Sequence, residues 1–139
     1  VSQVTYKSLG EAIDRLRQAM QLLAEHPADS FTVALRDSVL LSFQFTYGVC
    51  RPLIERFLVD SGDDPKVVQG MTLASIIRVA NQRGLSTFDW PSWSRFCSAR
   101  NRMAHSYSQV VAEEILLQVP GFLNAAVELF QQLTARSQA

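Results

Sequence analysis

Arg100, Asn101, Arg102, His105 and Tyr107 lie within eight residues of one another, and together they hold the groups that handle a phosphate. An arginine guanidinium grips a phosphate with two parallel hydrogen bonds and stabilises the extra negative charge of a phosphorane-like transition state. Histidine, with an ordinary pKa of about 6.5, takes and gives protons near neutral pH. An Arg and a His suffice for metal-free RNA cleavage, in which a base removes the 2′-hydroxyl proton as that oxygen attacks the adjacent phosphorus. The same two residues near a helix end also serve as caps or ion pairs, and spacing alone does not separate the two uses. Arg95, Arg100 and Arg102 fall between Trp90 and Ala112 with no acid among them, although the chain balances thirteen basic against thirteen acidic residues. Positive charge is therefore local, which suits one phosphate and excludes binding of nucleic acid or an anionic membrane by bulk charge.

The elements that must position this group are helical. Leu9, Ile13, Leu16, Met20 and Leu23 form one amphipathic face from Leu9 to about Ala24, with Ser8 and Glu11 at capping-box spacing and His26-Pro27 as the stop. Asp29 or Ser30 is placed to cap a second helix, in which Leu35, Val39, Phe43, Tyr47, Cys50, Ile54 and Phe57 keep register and Leu41, Phe45, Val49 and Leu53 fill an adjoining face. A helix apolar over so wide an arc belongs at the centre, and the Phe43, Phe45 and Tyr47 group is read as core. Pro52 lies four residues after Gly48, which predicts a kink and not two helices. Gln44 needs a partner if it is buried. Asp60 to Pro65 reads as a loop.

Thr72 caps a third helix closed by Gly84, Asp89 a fourth that carries Trp90, Trp93, Phe96, Cys97 and Arg100, and Ser108 a fifth that Pro120-Gly121 breaks or kinks. No stretch alternates with period two and no repeat is visible. The expected fold is all-α, an up-and-down antiparallel bundle of about five helices forming one domain over residues 1–139. The helix carrying Arg100 should end near Met103 or Ala104, with a non-helical link through His105 and Ser106. In that geometry Arg100, His105 and Tyr107 would converge beside the next helix N-terminus, whereas on a straight helix Arg100 and His105 stand about 140° apart and Asn101 shares the face of His105.

Cys50 and Cys97 make neither a disulfide framework nor a metal cluster, so no metal or cofactor is expected and a reducing, cytoplasmic setting is. The most apolar run, Val39 to Cys50, is too short to span a membrane, and no secretory signal opens the chain.

From about Ala34 to Leu133 the chain resembles the HEPN domains, and within them the nucleotidyltransferase substrate-binding proteins and HepT-type toxins. The resemblance rests on Arg-Asn-x-x-x-His-x-Tyr at Arg100, Asn101, His105 and Tyr107, on the Phe43-Gln44-Phe45-Thr46-Tyr47 run, and on the Gly84-Leu85 end of the third helix. Trp93, the Ala112 to Ile115 segment and the Pro120 to Leu133 tail follow in the same order. It implies a homodimer with two Arg-His motifs near its interface and a minimal nucleotidyltransferase as partner. In toxin members Arg100 and His105 would be the ribonuclease residues, Asn101 and Arg102 supporting or nucleotide-binding groups, and Tyr107 the residue to which the partner adds AMP. Other members are substrate-binding subunits, without catalysis of their own. The family run usually has acids where this chain has Gln44 and Gly48, and Trp-Lys where it has Arg51-Pro52.

Overall fold

The computed structural model describes residues 5–26, 31–105 and 108–137. Six helices account for its regular structure: α1 (Tyr6–Glu25), α2 (Thr32–Asp60), α3 (Pro65–Gln69), α4 (Leu73–Gln82), α5 (Trp90–His105) and α6 (Gln109–Ser137), with no strand among the described residues. The expected helical bundle is present. The four long helices α1, α2, α5 and α6 make it, and α4 lies against α2 and α5. The additional helix, α3, is five residues long, capped by the Asp64 carboxylate on the Lys66 amide with Pro65 at its first position.

Polar side chains start most of these helices. The Thr72 hydroxyl accepts from the Ser75 amide at 3.1 Å, the Asp89 carboxylate from the Ser92 amide at 3.1 Å, and the Ser108 hydroxyl from the Val111 amide at 3.2 Å, as their spacing predicts. Gly84 closes the turn after α4 at φ +77°, a conformation that costs a glycine little. In α1 the cap sits one turn earlier than expected: Thr5 and Ser8 form a reciprocal box, so the helix begins at Tyr6 and Ser8 lies inside it. The expected caps Asp29 and Ser30 lie outside the described residues.

Two prolines sit inside helices that nevertheless run on. α2 runs through Pro52 as one helix and not two, as expected, and α6 runs through Pro120-Gly121 without the break that was one of the two expected outcomes. Each proline removes one backbone hydrogen bond. Packing on both sides of the gap holds the helix together: Val49 and Leu53 are buried around Pro52, and Val119 and Phe122 around Pro120.

The core is aromatic at its centre. The Phe122 ring meets Phe43 at 5.0 Å, Phe96 at 5.5 Å, Tyr47 at 6.1 Å and Trp93 at 6.3 Å between centroids, which joins α6 to α2 and α5. Phe43 is fully buried and Tyr47 half-buried against the core, but Phe45 is 59% exposed and Leu41 69%. The core therefore takes only part of the Phe43, Phe45 and Tyr47 group, because α2 is apolar almost all round while the bundle covers one side of it. Gln44 is half-buried and not enclosed in the core, so its amide does not require an internal partner. Of the described helices, α6 alone is long and apolar enough to cross a membrane, with mean hydropathy 1.4 over an 18-residue window, a longer run than Val39 to Cys50. Ile115, Val119, Phe122, Ala126, Leu129 and Leu133 of this helix are buried in the bundle.

Phe122→Ala should lower the free energy of unfolding by about 3–5 kcal/mol, since the cavity would open among four other rings. Val67→Ala, at a position 62% exposed on α3, should change it by less than about 0.5 kcal/mol. Urea unfolding followed by circular dichroism measures both.

Candidate functional site

α5 carries Arg100, Asn101, Arg102 and His105 on its last two turns. No proline or glycine intervenes between Met103 and His105, and the helix continues to His105, past the expected end at Met103 or Ala104. His105, expected in the non-helical link that would let Arg100, His105 and Tyr107 converge, is therefore helical. Ser106 and Tyr107 lie outside the described residues. Within the chain Arg100 and His105 stand about 140° apart around the helix and roughly 7.5 Å apart along it. His105 shares its face with Asn101, as expected for positions four apart.

Each side chain has a distinct setting. Arg100 is exposed, and its guanidinium carbon stands 5.9 Å from the centroid of the Tyr47 ring on α2. This is a cation–π contact, worth about 0.5–1 kcal/mol at an exposed site, and no acid pairs with Arg100 among the described residues. Asn101 is exposed and directs its amide at the Cys97 sulfur, 3.7 Å away. Arg102 is committed elsewhere: it forms an ion pair at 2.5 Å with Glu114 of α6, tying the two helices on the opposite side from Arg100. His105 is exposed on the terminal turn, where a cation complements the helix dipole.

Behind Arg100 lies a feature that the motif did not announce. A cavity of about 390 Å³ opens between α2, α4 and α5, with Tyr47, Gly48, Arg51, Ile77, Cys97 and Arg100 on its walls. Burial pushes the Tyr47 phenol far above its ordinary pKa of 10.0, with the hydrogen-bonded Cys97 side chain adding to the rise and Arg100 opposing it. The phenol is therefore neutral at physiological pH. Cys50, on the same wall, is fully buried and its thiol is pushed up to about 12. Arg51 donates to the Met71 carbonyl at 2.7 Å and pairs with Glu55 at 3.5 Å, so of the two guanidiniums here only that of Arg100 lacks an oxygen partner among the described residues. The sequence signals for this cavity are Gly48, Arg51 and Pro52, three of the four positions that depart from the family run.

Residues 4–135 match the model of a family described as nucleotidyltransferase substrate binding protein like. Among solved structures the chain is similar to HI0074 from Haemophilus influenzae, described as revealing the fold of a substrate binding domain of a nucleotidyltransferase. That likeness has a TM-score of 0.83 at 22% identity and covers 94% of this chain and 99% of the other. No curated protein matches the chain.

The buried phenol gives a pH test. Absorbance at 295 nm should show a tyrosine that ionises well above the ordinary 10.0, and Tyr47→Phe should remove that late component. The sign for stability follows: the unfolded phenol ionises from pH 10 upward while the folded one does not, so Tyr47 lowers stability as pH rises past 10 and has no such effect below it.

Proposed function

The chain belongs to the nucleotidyltransferase substrate binding protein like family, and on that premise we propose that it is the cytoplasmic, homodimeric partner of a minimal nucleotidyltransferase, a toxin that cleaves RNA without a metal. The observation that carries this reading is the state of Arg100 and His105, both exposed at one end of α5 and both without an acid partner among the described residues. Arg102 of the same helix is held by Glu114, whereas Arg100 touches only the face of the Tyr47 ring and keeps its N–H donors for a ligand.

The angle between the two residues favours a site shared by two copies. One phosphate cannot easily touch both side chains of a single straight helix at about 140°. Two chains facing each other would bring Arg100 of one protomer to the phosphate held near His105 of its partner. A surface for such pairing exists beside the site: Leu41 and Phe45 are exposed on α2, and Gly48 follows on the same face with nothing within 4 Å of where a Cβ would be. The face is apolar and open, which suits an isologous contact.

In the reaction, His105 takes the proton of the 2′-hydroxyl as O2′ bonds to phosphorus. The P–O5′ bond breaks and O5′ takes up a proton, leaving a 2′,3′-cyclic phosphate and a 5′-hydroxyl. Arg100 offsets the charge that builds on the non-bridging oxygens. Asn101 shares the face of His105 and is placed to orient the substrate. Tyr107 is the acceptor in the partner's reaction: its phenol oxygen attacks the α-phosphorus of ATP, pyrophosphate leaves, and AMP stays on the protein.

The cavity beside Arg100 favours a second reading, in which the chain binds a nucleotide and presents it to the partner enzyme without cleaving anything. One experiment separates the two. Total RNA incubated with the protein in excess EDTA should give fragments ending in 2′,3′-cyclic phosphate, and Arg100→Ala or His105→Ala should each abolish them. Mixing the two variants should restore about a quarter of the activity, since half the randomly formed dimers would hold one intact site of two. Absence of cleavage by protein of unmodified mass removes the ribonuclease reading and leaves the binding one.

A further inference from the structure

We propose that the cavity between α2, α4 and α5 is a base pocket of the Arg100 site, taking the flat ring of a nucleotide whose phosphate Arg100 holds. The inference rests on the reading that the chain handles nucleotides, and it adds where the ring goes and which residues select it.

The lining chooses the ligand. Ile54, Leu73 and Ile77 give an aliphatic floor, and the half-buried Tyr47 ring gives a flat aromatic wall. The cavity of about 390 Å³ lies within the usual range for small-molecule sites, which are mostly apolar with a few polar groups that fix orientation. Two arginines, Arg51 and Arg100, stand on its walls and no carboxylate does, so an anion is favoured over a cation or a neutral sugar. Arg51 is occupied by the Met71 carbonyl and Glu55, while Arg100 rests only on an aromatic face and can turn to a phosphate. Inside the cavity the neutral Tyr47 phenol and the Cys97 thiol can both donate and accept, which fits the edge of a base.

Gly48 supplies an independent argument. A glycine inside a helix costs roughly 0.5–1 kcal/mol relative to alanine, and a Cβ at Gly48 would meet nothing within 4 Å. No packing among the described residues requires glycine there. Gly48 stands on the cavity wall beside Tyr47, where any side chain would occupy the approach. The missing side chain keeps the mouth open.

The test is calorimetry with the full chain and three probes: AMP, ribose 5-phosphate and inorganic phosphate. AMP should bind at least tenfold more tightly than the other two. Gly48→Leu, which fills the mouth from α2, and Leu73→Trp, which fills the cavity from α4, should each cost AMP at least tenfold, with melting temperatures close to that of the parent and phosphate affinity kept. Arg100→Ala should weaken all three probes alike. Equal affinity for AMP and ribose 5-phosphate would overturn the proposal, as would unchanged AMP affinity in both filling variants. Loss in Gly48→Leu alone would also overturn it and would assign that face to a second copy of the chain. If either filled variant fails to fold, amide shifts of Gly48, Ile77 and Cys97 on titrating AMP into the parent decide, and their absence overturns the proposal. The dinucleotide ApA competing against AMP tells whether the ring comes from RNA or from a free nucleotide, and an ApA or AMP complex supports the pocket equally. Ribonuclease activity with no AMP binding would sink the pocket and leave the ribonuclease reading. AMP binding with no cleavage would do the reverse.

Discussion

The Phe122 ring is the contact on which the rest of the molecule depends. It sits edge-on to Phe43, Trp93 and Phe96, and tilted against Tyr47, so one side chain of α6 fixes the spacing of α2 and α5. Edge-to-face pairs add about 0.5–1.5 kcal/mol each beyond the area they bury, and three of them on one ring, with the tilted Tyr47 beside them, couple the three helices. Tyr47 is the member of this cluster that reaches the surface. Through it the packing of the core decides where the Arg100 guanidinium rests.

Smaller ties hold the ends of the bundle in register with that centre. Arg102 to Glu114 joins α5 to α6 near the chain reversal, and the Glu128 carboxylate accepts from both the amide and the hydroxyl of Thr87, pinning the loop before α5 to α6. Arg83 meets both oxygens of Asp63 at 2.8 and 2.9 Å, fixing the end of α4 to the loop after α2. These pairs are partly exposed and add modestly to stability. Their effect is positional: they tie α5 and the loop before it to α6, and the end of α4 to the loop after α2.

Much of this is legible in the sequence. Capping residues act within three positions of the helix they start, so Thr72, Asp89 and Ser108 were assigned from spacing alone. At the first helix the spacing points to Ser8 with Glu11, but the box is formed one turn earlier by Thr5 with Ser8. Periodicity failed where it carried least information. On a helix apolar nearly all round it could not say which stripe the bundle would cover, and Phe45 and Leu41 ended on the outside. The local charge and the chemistry at Arg100 and His105 were visible in one stretch of chain. The contact between Arg100 and Tyr47 spans 53 positions and no local pattern encodes it.

The central claim is that the aromatic core, acting through Tyr47, holds the Arg100 guanidinium at the mouth of the cavity. Nitrogen-15 relaxation of the Arg100 Nε–Hε group in the parent and in Tyr47→Leu measures it most directly. The account predicts a guanidinium clearly more ordered in the parent than in Tyr47→Leu while the fold persists. Equal mobility in the two proteins would contradict it, because Arg100 would then owe its position to nothing beneath it.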